Sequence, residues 1–228
     1  MPPTTSRRAA ATAARRAQII AASIATIAEL GYRRTTFGRI AERGGLSSTR
    51  LISYHFASKD DLVAAVVADI FTSINEFLID RAREDPATRP LQNPPDTVQR
   101  PRNSSGADEL RAYITGVVAF VDAHRVRMRA LQSIFAAVHD EPRNAAAYSP
   151  DTDRGVLGHI EDILRHGQAR GEFRAFDTFT MAAAIQRSLG GLPLLLQTKP
   201  DLDLRDYATE LVTLFDLATR HPNHKPDR

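Results

Sequence analysis

The chain reads as all-α. Three observations predict this. Apolar residues recur at i, i+3, i+4 and i+7 in successive stretches. Sustained period-2 alternation is absent. Glycine or proline interrupts the helical patterns at intervals expected between helices. About nine helices are expected. They form an N-terminal three-helix module that could be a helix-turn-helix and a C-terminal helical bundle.

Residues 1–14 hold Pro, Thr, Ser, Ala and Arg without an apolar stripe, which predicts a disordered basic arm. An Arg-rich, acid-free start also has the composition of a mitochondrial transit peptide. From Arg15 onward Ile20, Ile24 and Ile27 share a helical face, and Gly31 ends that helix. Thr35 and Thr36 offer an N-cap to a second helix with Phe37, Ile40 and Ala41 on its apolar side. Gly44-Gly45 breaks it. Ser47 and Ser48 offer the next cap, ahead of Leu51, Ile52 and Phe56. Ser58-x-x-Asp61 reads as a capping box opening a long helix through Leu62, Val66, Ile70, Ile74, Phe77 and Leu78.

Five prolines between 85 and 106 forbid a helix there and predict a long mobile loop. Helices are expected again near 108–123, 125–140, 152–170, 177–198 and 202–220, with a tail at 221–228. The expected domains are therefore 15–60 and 61–220, after the arm at 1–14.

Composition bounds the chemistry. The 228 residues include no cysteine, which excludes disulfides, Cys-ligated zinc, iron–sulfur clusters and a thiol nucleophile. The apolar runs at Tyr113–Val121 and Leu192–Leu196 are much shorter than the roughly 20 residues of a bilayer span. No apolar stretch of a secretory signal follows the first arginines, so a cytoplasmic location is expected. His159, Asp162 and His166 share one helix face, but no second helix supplies a matching motif, so no metal site is assigned. Phosphate-binding glycine loops and a G-x-S-x-G nucleophile turn are absent. No catalytic residues and no cofactor are expected, although an enzyme of another type stays open.

Charge is distributed unevenly. Residues 1–60 carry ten basic and three acidic side chains, a balance of +7, while the remainder holds 20 basic and 24 acidic ones. This pattern suits a polyanion-binding module on a mildly acidic body. Residues 36–56 fit a helix-turn-helix: Ala41 is small where two helices would cross, Gly45 suits the turn, and Leu46 and Leu51 would anchor the second helix. An ordinary helical corner fits the same spacing. Electrostatics favours the DNA-binding alternative. Arg50 lies in a first helical turn and Lys59 directly follows a cap, where acids are normally preferred. Such cations suit a shared phosphate. Ser47, Ser48, Thr49, Arg50, Ser53, Tyr54, His55 and Lys59 form a dense donor set.

The segments Arg39-Ile40-Ala41-Glu42-Arg43-Gly44-Gly45-Leu46-Ser47 and Leu51-Ile52-Ser53-Tyr54-His55-Phe56-Ala57-Ser58-Lys59-Asp60-Asp61-Leu62 resemble the DNA-binding domain of the tetracycline-repressor (TetR) family. Gly31-Tyr32-Arg33-Arg34-Thr35-Thr36 is similar to the family's approach to its second helix. Gly171-Glu172-Phe173-Arg174 resembles the lead-in to the penultimate helix. The stretch from Leu46 to Phe56 is one residue longer than the family's commonest spacing, with the extra residue at Ser47/Ser48. This leaves open which of Thr49, Arg50, Ser53 and Tyr54 faces bases.

The resemblance implies a homodimeric, ligand-responsive regulator, a repressor released from a palindromic DNA operator by an apolar or amphipathic small molecule. It implies Thr36 as cap and phosphate contact and 48–55 as recognition helix. Tyr54, His55 and Lys59 would contact the backbone, and Arg50 is the candidate for reading guanine. Phe37, Ile40, Leu51 and Phe56 are assigned to the core. Phe120, His124, Met128, Phe135 and His139 are candidate effector contacts, or plain core. Helices 177–198 and 202–220 carry the expected dimer surface. A protein-binding helical adaptor is the alternative, against which the +7 module argues.

Overall fold

A computed structural model of the chain describes residues 4–84, 105–140 and 150–221, with side chains over 8–83, 105–137 and 154–221. The described residues form ten helices: α1 (Thr4–Leu30), α2 (Phe37–Arg43), α3 (Arg50–His55), α4 (Lys59–Glu84), α5 (Gly106–Ala123), α6 (Arg125–Asp140), α7 (Pro150–Ala169), α8 (Thr178–Gly190), α9 (Leu192–Thr198) and α10 (Leu204–Thr219). One isolated antiparallel bridge, Phe173 with Arg220, is the sole β pairing among them. The prolines at 86, 90, 94, 95 and 101 and the tail from 222 lie outside the described residues.

Two expectations about the helices are corrected. The arm expected to be disordered is helical from Thr4. Its run of alanines, the strongest helix formers, continues α1 upstream without apolar cover. The helix expected at 177–198 is divided at Gly190–Gly191, where Pro193 occupies the first turn of α9.

The chain separates into two compact units, and the boundary differs from that expected at residue 60. The N-terminal unit takes everything through Ser73 and also 124–149, hence α6; the C-terminal unit holds 74–123 and 150–228. α6 joins the first unit because its buried Met128, Ala130, Leu131, Ile134 and Ala137 provide an apolar face, and α1 is its main partner there. Ser133 Oγ accepts the Tyr32 backbone N–H at 2.9 Å, and Arg127 pairs with Asp69 of α4 at 2.5 Å. The core of this unit comprises Ile19, Ile27, Ile40, Ile52, Phe56, Leu62, Val66 and Ile70. Ser23 and Thr26, fully buried in α1, return their hydroxyl protons to the Ile19 and Ala22 carbonyls.

In the C-terminal unit α5 packs on α10 and α7, and α7 packs on α8. Leu110, Ile114, Val118, Ile160, Leu164, Ile185 and Phe215 fill the interior. Gly106 and Gly167 permit a backbone approach that a β-carbon would block, because one built on Gly106 falls 2.6 Å from the Gly167 Cα.

The stretches 59–83 and 178–198 have the length and apolar content of membrane-crossing helices, which the run-length argument from sequence did not register. In the first, Leu62, Val63, Val66, Val67 and Ile70 are buried within the N-terminal unit.

Candidate nucleic-acid interface

The interface is built from α1 to the start of α4. Thr36 adopts extended backbone before α2, and its hydroxyl accepts the Arg39 N–H at 3.4 Å, the predicted cap. α2 ends in a Schellman arrangement. The Leu46 N–H reaches the Ala41 carbonyl at 2.9 Å and the Gly45 N–H reaches Glu42 at 3.2 Å. Gly45 has φ of +59°, the left-handed conformation that glycine adopts without strain. Gly44 is needed for space instead: its β-carbon would lie 3.0 Å from Ala22 Cβ and 3.1 Å from the Ile40 carbonyl. Gln18 of α1 donates to the Gly44 carbonyl at 2.7 Å and holds the turn against α1.

The recognition helix is shorter than the predicted 48–55. It runs from Arg50 to His55, with Ser48 Oγ accepting the Arg50 N–H at 2.9 Å. Ser48 and Thr49 form the entering turn because their carbonyls receive the Leu51 and Ser53 N–H groups. The extra residue of the turn is therefore accommodated before the helix, leaving its inward register intact. Ile52 and Phe56 are buried one turn apart, and Leu51 and Phe37 are half-buried. Thr49, Arg50, Ser53 and Tyr54 point outward as two i, i+4 pairs. Tyr54 is 76% exposed, unusual for an aromatic residue of a compact unit. Its ring meets His55 edge-on at 5.1 Å. Ser47 and Ser48 are exposed beside them, and His55 is half-buried.

Lys59 differs from its expected role. The capping box holds, with Ser58 Oγ accepting the Asp61 N–H at 3.0 Å and the Asp61 carboxylate accepting the Ala57 N–H at 2.9 Å. The Lys59 amine, however, turns inward to Tyr32, donating to its carbonyl at 3.0 Å. Burial there lowers its pKa, partly countered by the Asp60 charge.

Arg16 was missed by sequence reasoning. Its guanidinium donates to the His55 carbonyl at 3.2 Å and covers the Phe56 ring at 4.3 Å. A cation at the C-terminal carbonyls of α3 complements the helix dipole. Helical spacing held a signal for it, because Arg16 lies on the same face of α1 as Ile19, Ile20 and Ser23.

The candidate effector contacts are not gathered together. Phe120 is buried in the C-terminal unit, edge-on to Phe77 at 5.6 Å. His124, Met128 and Phe135 belong to the N-terminal unit, with Met128 buried and the others half-buried. The His139 side chain lies outside the described residues. A pocket lined by Leu110, Arg111, Ile114, Phe173, Val212 and Asp216 has room for about one water. Among the described residues no cluster of His, Asp and Glu could hold a metal. His159 lies against Tyr113 instead, 5.5 Å between ring centres.

Residues 19–66 match the bacterial regulatory proteins of the tetR family. The HTH-type transcriptional regulator BetI of Stenotrophomonas maltophilia (strain R551-3) is 28% identical over 159 residues, covering 68% of this chain and 72% of that protein. BetI of Escherichia coli O127:H6 is 36% identical over 81 residues; the match covers 34% of this chain and 41% of that relative. Among solved structures, a bacterial regulatory protein in the tetR family from Rhodococcus RHA1 shares the fold with a TM-score of 0.69 at 20% identity, covering 92% of this chain and 98% of that one. The ketosteroid transcriptional regulator KstR2 of Mycobacterium tuberculosis gives 0.63 at 16%, with 91% and 95% coverage. A matching domain that coincides with the capped turn and exposed face of α3 makes this chain a member of the tetR family, a DNA-binding transcriptional regulator.

Proposed function

We propose that the protein is a homodimeric repressor that reads a palindromic operator through α3 and releases it when a small apolar or amphipathic molecule binds. The carrying observation is the outward face of α3, where Thr49, Arg50, Ser53 and Tyr54 stand exposed without an acidic neighbour on that helix. Arg50 is the base-reading candidate because its fork matches guanine O6 and N7. Thr36, Ser47, Ser48, Tyr54 and His55 supply phosphate contacts, with Lys59 acting mainly by holding the turn between α1 and α2. Dimerisation through α8 to α10 doubles the contacts of a small module and sets the half-site spacing.

The effector class rests on the apolar character of the candidate contacts Phe120, Met128 and Phe135. KstR2, similar in fold, is named for ketosteroids, which fits that class. α4 runs unbroken for 26 residues, about 39 Å at 1.5 Å per residue, and passes from one unit into the other. A ligand favouring one setting of that helix would lower operator affinity by its differential binding and no more.

Selection of DNA from a random pool by the purified protein tests the reading. A palindromic consensus is expected. Recovery of unrelated sequences would overturn specific recognition.

A further inference from the structure

The first turns of α1 have no role in the reading above. Arg8 through Gln18 are exposed, and the chain has no Asp or Glu before Glu29. The positions of the arginines are informative. At 3.6 residues per turn, Arg8, Thr12, Arg15 and Arg16 fall within roughly a 100° arc, and Ile19, Ser23, Thr26 and Ile27 continue the same arc. Downstream this face is buried in the N-terminal unit. Upstream the same face carries guanidinium groups and no protein covers it.

Arg16 marks the crossing point, since it rests on the C-terminal end of α3 through the His55 carbonyl and the Phe56 ring. Beyond it the helix leaves the domain at the end of the recognition helix. The segment from Arg8 to Arg15 adds about 10 Å of rise. Arg15 bonds Gln18 at 2.7 Å, and Thr12 bonds the Arg8 carbonyl. Neither contact neutralises charge.

From this placement we infer that the N-terminal turns of α1 are a second DNA-contacting element, with Arg8 and Arg15 gripping phosphates that flank the segment read by α3. The inference rests on the reading of α3 as the recognition helix. Its chemistry is that of backbone contact: guanidinium to phosphate oxygen, with no choice of base. The alanines between the arginines maintain the helix where packing does not.

The test is the salt dependence of operator binding by the full chain, comparing wild type with the Arg8→Ala/Arg15→Ala double variant. Each lost phosphate contact lowers the slope of log K against log salt by about 0.9, so a reduction of roughly two is expected. The selected consensus should stay unchanged, and the Arg8→Lys/Arg15→Lys variant should keep the wild-type slope. Hydroxyl-radical footprints should lose protection at the outer phosphates only. An unchanged slope in the alanine variant would overturn the inference, leaving the arginines to an acidic surface other than DNA. A changed consensus would also overturn it, because these residues would then read bases. If wild type selects no sequence at all, the reading of α3 fails and this inference fails with it; a wild-type consensus beside an unchanged slope sinks this inference alone.

Discussion

The Lys59 amine lies 4.1 Å from the centre of the Tyr32 ring and donates to the carbonyl of the same residue at 3.0 Å. The first residue of α4 thus fastens the turn between α1 and α2. A cation over a half-desolvated aromatic face contributes on the order of 1 kcal/mol. Lys59→Met keeps the apolar stem and removes both contacts. It should lower thermal stability by about that amount in denaturation experiments, while the DNA consensus stays the same. A changed consensus without loss of stability would put Lys59 at the bases instead.

Tyr32 is held from a second side. Its N–H donates to Ser133 Oγ of α6 at 2.9 Å. Ser133→Ala leaves a backbone N–H of a buried residue without that acceptor, at a cost of about 1–3 kcal/mol. Chemical denaturation should show this loss, and Ser133→Thr, which retains the oxygen, should recover much of it. Equal stability of the alanine variant and wild type would mean that water replaces the serine.

Gly44 and Gly45 make separable demands. Nothing lies within 4 Å of a β-carbon built on Gly45, so Gly45→Ala should cost only the left-handed backbone penalty, roughly 1–2 kcal/mol. Gly45→Asn should cost less, since Asn tolerates that conformation. Gly44→Ala meets Ala22 and the Ile40 carbonyl and requires α1 and α2 to separate. It should therefore weaken DNA binding as well as stability, whereas Gly45→Asn should not. Gel-shift titration beside thermal melts distinguishes the two.

The recognition domain was legible in the sequence because its signals are local. Thr36, Ser48 and Ser58 cap helices within three residues of themselves, and Gly45 ends α2 through bonds of the same reach. What escaped depended on long separations. Lys59 meets Tyr32 across 27 residues, Arg16 meets His55 across 39, and Ser133 meets Tyr32 across 101. A cation beside a cap suggests a phosphate until the aromatic ring that holds it is known. The inclusion of α6 in the N-terminal unit was invisible for the same reason, since periodicity shows that α6 has an apolar face but not which helix covers it. The start of α1 was misread because an Ala-rich helix needs no apolar stripe.

Glu172 gives a pH-dependent test. Its burial works to raise its pKa, but hydrogen bonds from Arg170 and from the Ala107 and Gly106 N–H groups, with the Arg170 charge, bring it below the ordinary value. A carboxylate depressed on folding stabilises the native state above its unfolded pKa, about 4.3, and loses that contribution as pH falls through the lower folded value. Glu172→Gln should therefore be less stable than wild type at pH 7. The difference should shrink as both are acidified below about pH 4.3. Melting curves across pH 3–7 check this, and a gap that widens on acidification would reverse the assignment.

The last expectation concerns self-association. On α8, α9 and α10 the structure leaves Phe179, Leu194, Leu214 and Leu217 more than half exposed, while Ile185, Leu189, Leu192, Leu211 and Phe215 of the same helices are buried. The C-terminal unit is thus satisfied without the first four. Large apolar side chains left outside a complete core suit a partner surface, and a second copy of the chain supplies one by two-fold symmetry. Leu214 and Leu217 lie three residues apart on α10, so one face carries both. A charge placed there would have to be buried unpaired in a dimer but would be solvated in a monomer. Leu217→Glu should therefore leave secondary structure intact and convert the protein to a 25.1 kDa species in sedimentation at micromolar concentration. Operator affinity should fall with it, because each half-site would then be held by one module alone. A variant that still sediments as a dimer would exclude this face, and a wild type that sediments as a monomer would remove the dimer altogether.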